Sequence, residues 1–493
     1  MPIPYPPTKT APWKHQIEAW ELSHDKPGFY FAHDMGVGKT KLTIDAMNGH
    51  DVRSALILCP KAVVPVWPRE FEKHSYHDYQ VITIADYTKS WSISKKADAI
   101  ERDLRTASAL KKRVALVINY DALLNPLLGV TYNQKNRIVR HGLLFWIKWG
   151  MIVLDEAHRA KSADSQTSLM CSRLADKAQW RRCLSGTPMP HSPLDIYAQF
   201  RFLDRTIYGT TAAAFKARYA ILGGFDMKQI VEWQNVDELH QKFADYSHRV
   251  KKNDVLDLPP VIHQDRRCDI APKARKIYDE LATEFIAQVG TGEISVSNAL
   301  VKLLRLAQIA SGYIQLDDGT RKVSCNAKIN TLKDIVMDLE LAEPLVIFCR
   351  FTQEVARIKQ VLASLGRCPA ELSGTVKEWE HFQYDQPSQY DSIVVQIQAG
   401  STGIDLTRAC YCIFFSTGFS LGDYQQAEAR IDRHGQTRPV TYYHIIANNT
   451  VDETVHQAIQ FKKTVVEYVM DDAKALLAAQ KILTSRGVLK KIV

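Results

Sequence analysis

No stretch of this chain is apolar for long enough to span a bilayer. The opening residues, Met1-Pro2-Ile3-Pro4-Tyr5-Pro6-Pro7, hold no apolar core of the kind a signal peptide requires. Membrane helices are thereby excluded, and the cytoplasm is the expected compartment. Cysteine occurs nine times but always singly, apart from Cys410 and Cys412, and no second pair stands at zinc spacing. A zinc module is excluded, and thiols such as Cys59 and Cys349, set in apolar runs, read as reduced core residues. There is no repeat of solenoid period and no low-complexity tract. Nor is there a heavy excess of one charge. The net charge of +9 fits a merely basic soluble protein as well as one with a polyanionic partner such as nucleic acid.

What is present is a globular composition. Hydrophobic residues make up 46% and charged residues 24%, enough apolar surface to build cores, and 493 residues are too many for one ordinary core. Short aliphatic runs recur, each followed by turn residues and a longer amphipathic stretch. One series comprises 28–32, 55–59, 114–118, 151–154 and 183–184; a second comprises 345–349, 393–397, 412–415 and 442–447. Continuous apolar runs of this length predict strands buried on both faces of parallel sheets, so the fold class is α/β with two lobes. Residues 205–325 read as largely helical, with Leu258-Pro259-Pro260 as a break.

Two segments far apart in the chain carry chemistry. In the first, the strand Phe29 to Ala32 runs into Asp34-Met35-Gly36-Val37-Gly38-Lys39-Thr40 and then into a predicted helix. Backbone N–H groups of such a loop and the helix start make an anion site. Lys39 is placed to contact the β and γ phosphates and Thr40 to hold Mg²⁺. The general phosphate-loop pattern has Gly where this chain has His33. The strand Met151 to Leu154 ends in Asp155-Glu156-Ala157-His158. A carboxylate there points into the ligand crevice, so Asp155 is a candidate to hold Mg²⁺ through water and Glu156 to orient and deprotonate a water. In the second segment, Gln426 to Gln436 offers Arg430 and Arg433, three apart, which a helix would place on one face. Arginines brought to a phosphate from a separate lobe stabilise its transferring charge.

In order along the chain, these motifs resemble superfamily-two helicases, and specifically their Swi/Snf branch. Asp155 to Ser162 resembles motif II. Asp34 to Thr40 resembles that branch's DEMGLGKT, with Asp34 in place of Glu and His33 in place of Asp. His15-Gln16 stands where the branch reads adenine; Cys59-Pro60 to Trp67, Glu70 and Phe71 resembles motif Ia; Asn119-Tyr120-Asp121 resembles Ib; Leu184-Ser185-Gly186-Thr187-Pro188 resembles motif III. Arg249 to Val255 and Leu258-Pro259-Pro260 resemble the stretch leading between lobes, and Val346 to Phe351 resembles motif IV. Gln398 to Leu406 resembles motif V, with Ser401 for Gly and Asp405 for Asn. Gln426 to Gln436 resembles motif VI, and Thr450-Val451-Asp452-Glu453 the closing motif.

The resemblance implies two RecA-like lobes, each a parallel sheet flanked by helices, at 1–245 and 326–465, a helical connecting region at 246–325, and a carboxyl-terminal helix and basic tail at 466–493. It implies an ATP-hydrolysing motor with ATP and Mg²⁺ as cofactors. Gln16, Asp34, Met35, Gly36, Val37, Gly38, Lys39, Thr40, Gly403 and Asp405 bind ATP. Lys39, Asp155, Glu156, Gln426, Arg430 and Arg433 carry hydrolysis, and His158, Ser185 and Thr187 couple it to movement. Lys61, Asn119, Ser401 and Thr402 contact DNA, joined by Arg249, Lys251 and Lys252 unless that basic run is a solvated face. The expected track is double-stranded DNA, travelled without strand separation. A strand-separating or branch-migrating helicase, the motor of a restriction or defence complex, and a non-motor subunit using ATP as a switch are the alternatives. The compact chain, expected as a monomer, fits a bacterial or phage protein.

Overall fold

The computed structural model describes residues 3–471 except 62, 88–90, 133–137, 191, 224–228, 291–295, 316–320, 385–388, 400–403 and 434. The chain divides into a first unit over Met1–Leu256, to which the chain from Thr464 also belongs, and a second over Asp257–Lys463.

The first unit is built on seven parallel strands: β1 (Gly28–His33), β2 (Ser54–Cys59), β3 (Tyr79–Thr83), β4 (Arg113–Asn119), β5 (Trp149–Asp155), β6 (Ala178–Leu184) and β7 (Ser247–Val250). Their spatial order is β7-β1-β6-β5-β2-β4-β3. All six residues of β1 are buried, and β2, β4 and β5 are buried over most of their length, as strands covered by helices on both faces must be. Leu42, Ile44 and Met47 of the helix Lys39–Gly49 pack in one core with Phe29, Phe31, Ile57, Val153 and Trp67.

The second unit carries six parallel strands: β8 (Val261–Cys268), β9 (Leu345–Cys349), β10 (Pro369–Leu372), β11 (Ser392–Gln396), β12 (Tyr411–Phe414) and β13 (Val440–Ala447). They run in the order β8-β13-β12-β9-β11-β10. Its core joins Leu345, Ile347, Val394 and Ile413 to Leu332 and Ile335 of the helix Ala327–Met337 and to Ile358 and Leu362 of the helix Thr352–Ser364.

The expected α/β class and every central strand are present; the stretch 246–325, expected as a helical connecting region, holds long helices but also strands of both sheets. Within 246–325, β7 is an edge strand of the first sheet and β8 an edge strand of the second. The helices Pro272–Gly290 and Val296–Ala310 lie inside the second unit. The sheet strands outside the expected apolar runs, β3, β7, β8 and β10, are all edges, and an edge strand can carry polar side chains that hide it from an apolar-run reading. The last helix, Val451–Asp471, is continuous through 465, and the expected basic tail lies outside the described residues.

Gly28 opens β1 beneath the end of the helix Ile196–Leu203, and a Cβ there would sit 2.5 Å from the Leu203 carbonyl oxygen. Backbone cannot yield as a flexible side chain can. Gly28→Ala is therefore expected to lower stability by roughly 1–3 kcal/mol, read as a lower urea midpoint at unchanged slope; an unchanged midpoint contradicts this packing.

Candidate functional site

Between β1 and the helix Lys39–Gly49 the chain turns through Asp34 to Gly38. Gly36 and Gly38 take φ of +82° and +78°, the left-handed region open to glycine without strain. The Lys39 ammonium lies back along this loop, donating to the carbonyl oxygens of His33 at 2.9 Å and Asp34 at 3.0 Å. Gln16 supports the loop from a buried position. Its Oε1 accepts from the Trp13 backbone N–H at 2.9 Å, and its Nε2 donates to the Gly38 carbonyl at 3.1 Å. A His15 ring nitrogen meets the Val37 carbonyl oxygen at 2.9 Å. Trp13 and His15 also border a cavity of about 420 Å³ whose other wall includes His248 and Val250.

Asp34 has a role that sequence reasoning missed. Its Oδ1 accepts from the Arg249 guanidinium at 2.8 Å, and its Oδ2 from the Lys252 backbone N–H at 3.1 Å. Arg249 also donates to the Ala32 carbonyl. The basic run is thus engaged at its first member, which ties the end of β7 to the glycine loop. His33 is fully buried and its ring meets that of His248 at 3.0 Å. Burial, then His248 and Lys39, push the His33 pKa well below the ordinary histidine value, so this residue is a neutral imidazole.

Asp155 ends β5, and Glu156 follows in the left-handed region at φ +53° and ψ +55°. A non-glycine residue there stores about 1 kcal/mol. It opens the single helical turn Ala157–Ala160. Asp155 is buried, with Trp67 Nε1–H donating to its Oδ2 at 3.1 Å, and the Tyr120 hydroxyl donates to its backbone carbonyl at 2.9 Å. Burial, then the adjacent Glu156 charge, push the Asp155 carboxyl up to about 7 against the pull of Lys39 and Trp67. Lys39 and Asp155 therefore share one electrostatic environment although they are far apart in sequence.

The loop after β6 completes the group. Ser185 Oγ lies 3.4 Å from Glu156 Oε2 and 3.0 Å from His158 Nδ1, while His158 Nδ1 lies 3.3 Å from the same carboxylate oxygen. Ser185 Oγ also accepts from the Thr187 backbone N–H at 3.1 Å, and Thr187 is buried. A Cβ on Gly186 would sit 3.2 Å from Asp34 Cα, so the loops after β1 and β6 pass in close contact. Lys61, exposed just after β2, and Asn119, closing β4 with its Nδ2 donating to Asp121 at 3.3 Å, stand at the same carboxyl edge of the sheet.

In the second unit the arginine geometry differs from expectation. The helix Leu421–Glu428 stops before them, and Arg430 and Arg433 occupy tight turns in place of one helix face. The turns are closed by Arg430 N–H to the Ala427 carbonyl and Ile431 N–H to that of Glu428. Gln436 pins them by donating to the Thr407 and Ala409 carbonyls. Arg430 is buried and its carbonyl accepts from the Leu406 N–H at 2.9 Å; Arg433 approaches Asp405 at 3.8 Å. Gln426 is buried on the preceding helix. Ser401, Thr402 and Gly403 lie outside the described residues. No group of three or more His, Cys, Asp or Glu suited to a metal ion, and no helix long and apolar enough to cross a membrane, occurs among the described residues.

The profile of the SNF2-related domain matches residues 14–316, and that of the helicase conserved C-terminal domain matches 327–435. An uncharacterised ATP-dependent helicase of Mycoplasma genitalium is 24% identical over 472 residues, or 91% of this chain, which spans only 41% of that longer protein. Protein p41 of Acyrthosiphon pisum secondary endosymbiont phage 1 is 25% identical over 468 residues, covering 89% of this chain and 94% of the phage protein. A RAD54-like DNA repair and recombination protein of Danio rerio is 24% identical over 90% of this chain and 64% of its own. The SWI2/SNF2 ATPase core of Sulfolobus solfataricus in complex with dsDNA aligns over 98% of both chains at 22% identity, with a TM-score of 0.41.

A carboxyl that titrates near 7 when folded, against about 4 when unfolded, contributes stability that is full below about pH 4 and is lost as pH rises through about 7. Asp155→Asn removes that penalty. In denaturant titrations at pH 8 the variant is expected to gain on the order of 2–4 kcal/mol, a gain that fades toward pH 4. A difference that does not change with pH contradicts the assigned environment.

Proposed function

Because the chain belongs to the SNF2-related family of helicase-like ATPases, we propose that it hydrolyses ATP at the carboxyl edge of its first sheet and uses the cycle to translocate on duplex DNA. The observation that carries this reading is the assembly of Lys39, after β1, with Asp155 and Glu156, at the end of β5, and with Ser185 and His158 in reach of the Glu156 carboxylate. The loop N–H groups and the start of the helix Lys39–Gly49 suit a polyphosphate. Lys39 exchanges the His33 and Asp34 carbonyls for phosphate oxygens, a stronger, charge-assisted contact. Glu156, fixed by its backbone and by Ser185 and His158, orients the attacking water and takes its proton.

The residues present fit Mg²⁺. Thr40 offers a hydroxyl in the first helical turn, and Asp155 is a carboxylate whose charge is disfavoured by burial and by Glu156, so a cation would favour its ionised form. Bound there, the ion would neutralise phosphate charge. Gln16 belongs to this site as support for the loop and as a border of the nucleotide's surroundings. Arg430 and Arg433, with Gln426 on the preceding helix, are assigned to stabilising charge as the phosphoryl group transfers, and Asp405, 3.8 Å from Arg433, to the ATP-binding group.

Duplex DNA as the track is supported by the net charge of +9, by exposed Lys61 and by Asn119 at the edge that carries the ATP site. Relatives named as helicases and as a repair and recombination protein support the same class of partner. Contacts of this kind grip phosphate and carry no sequence information.

ATP turnover measured in parallel without nucleic acid and with single-stranded, duplex and forked DNA and RNA tests the reading. Duplex DNA is expected to stimulate most, and triplex displacement to proceed without strand separation. Lys39→Ala and Arg430→Ala are expected to lose turnover by about 10³-fold, and Glu156→Gln to bind ATP without releasing product. DNA affinity should fall steeply with salt. Equal turnover with and without duplex would remove the motor and leave an ATP-dependent switch.

A further inference from the structure

At the opposite, amino-terminal edge of the first sheet lies a cavity of about 560 Å³ that the ATP site does not use. It opens where β2, β4 and β5 begin and is closed laterally by the end of the helix Ile93–Ala109. Its floor is apolar and buried, formed by Leu104, Val114 and Trp149. Its rim is cationic. Lys111, Lys112 and Lys148 are exposed and form no ion pair or side-chain hydrogen bond among the described residues. The one carboxylate lining the cavity, Glu101, pairs with Arg105. Trp146 stands over the opening with 76% of its surface exposed, its indole N–H fixed on the His141 carbonyl at 3.1 Å.

Lys111 adds a second observation. It takes φ +55° just past the helix end, its N–H bonded to the Ser108 carbonyl. That position usually holds glycine, and a lysine there costs about 1 kcal/mol of backbone strain. The strained residue carries one of the rim's free charges.

We propose that this cavity docks a segment of another protein in which an apolar or aromatic side chain is flanked by carboxylates. The anchor fills the apolar floor beside Trp146, and the carboxylates meet the lysines around it. A nucleic-acid strand fits less well. The helix end at the rim presents its carbonyl, negative pole, which favours lysines there and opposes a compact phosphate set against it. The cations are spread around an apolar floor and do not line an open track. The site faces away from the carboxyl edge of the same sheet, so a partner held here leaves the nucleotide loop accessible.

Fluorescence anisotropy on the full chain tests this. The probe is a labelled peptide of about a dozen residues with Phe-Leu at its centre between Glu and Asp runs. Binding is expected, weakened about tenfold when the two central residues become Gly-Ser and about fivefold or more by Trp146→Ala or Lys111→Gly. Lys111→Gly relieves the left-handed strain, so its melting temperature should hold or rise while binding falls, which separates docking from folding. ATP turnover should be unchanged in both variants. The proposal is overturned if the intact peptide does not bind, if the anchorless peptide binds as well, if both variants bind normally, or if single-stranded DNA displaces the peptide as effectively as unlabelled peptide does.

Discussion

The register between β1, β6 and β5 is the constraint on which the site depends. Phe31 lies opposite Leu184, and Leu184 opposite Asp155, so three strands from distant parts of the chain end at one level. From that level the glycine loop, the Ser185-Gly186-Thr187 turn and the Asp155-Glu156 pair all project to the same side. A slip of one residue would send every side chain of a strand to the other face of the sheet. The register is held because both faces are buried and the cores around Phe29, Phe31, Ile57 and Val153 tolerate no alternative.

Within that frame, short polar links set the positions of the charged groups. Asp34 is the clearest case, since its carboxylate joins the glycine loop to Arg249 in the adjacent edge strand β7 and to Lys252 just beyond it. An acid at this loop position thus works as a structural tie, and the adjacent buried, neutral His33 adds a contact to His248. Glu156 is held by a strained backbone and by Ser185 and His158, so its carboxylate is placed before any ligand arrives. Asp155 is held under electrostatic strain of another kind, buried next to a second acid. Both residues store free energy that the surrounding β-sheet core offsets, a common property of sites built to bind charge.

The two edges of the first sheet are chemically different because strand direction makes them so. In a parallel sheet every connection leaves at the carboxyl end, where the loops gather glycine, acids and hydroxyls. The amino-terminal edge receives helix ends, whose exposed carbonyls favour lysine, and it is there that the cationic rim around Trp146 arises. One sheet thereby presents backbone N–H groups at one edge and side-chain ammonium groups at the other.

The sequence alone determined the α/β class, the central strands and the glycine loop with its two acids, because long buried apolar runs and fixed turn chemistry are local properties. It could not reveal the edge strands β3, β7, β8 and β10; Ser247 to Val250 and Val261 to Cys268, for example, carry polar side chains that mimic loops. Nor could it decide the conformation after Glu428, where a helical reading of Arg430 and Arg433 gave way to turns pinned by Gln436. The link of Asp34 to Arg249, the Trp67 hydrogen bond to Asp155 and the amino-edge cavity come from residues far apart in the chain. Only the packed tertiary structure brings them within reach, since hydrogen bonding and burial act over a few ångströms of space whatever the separation along the chain.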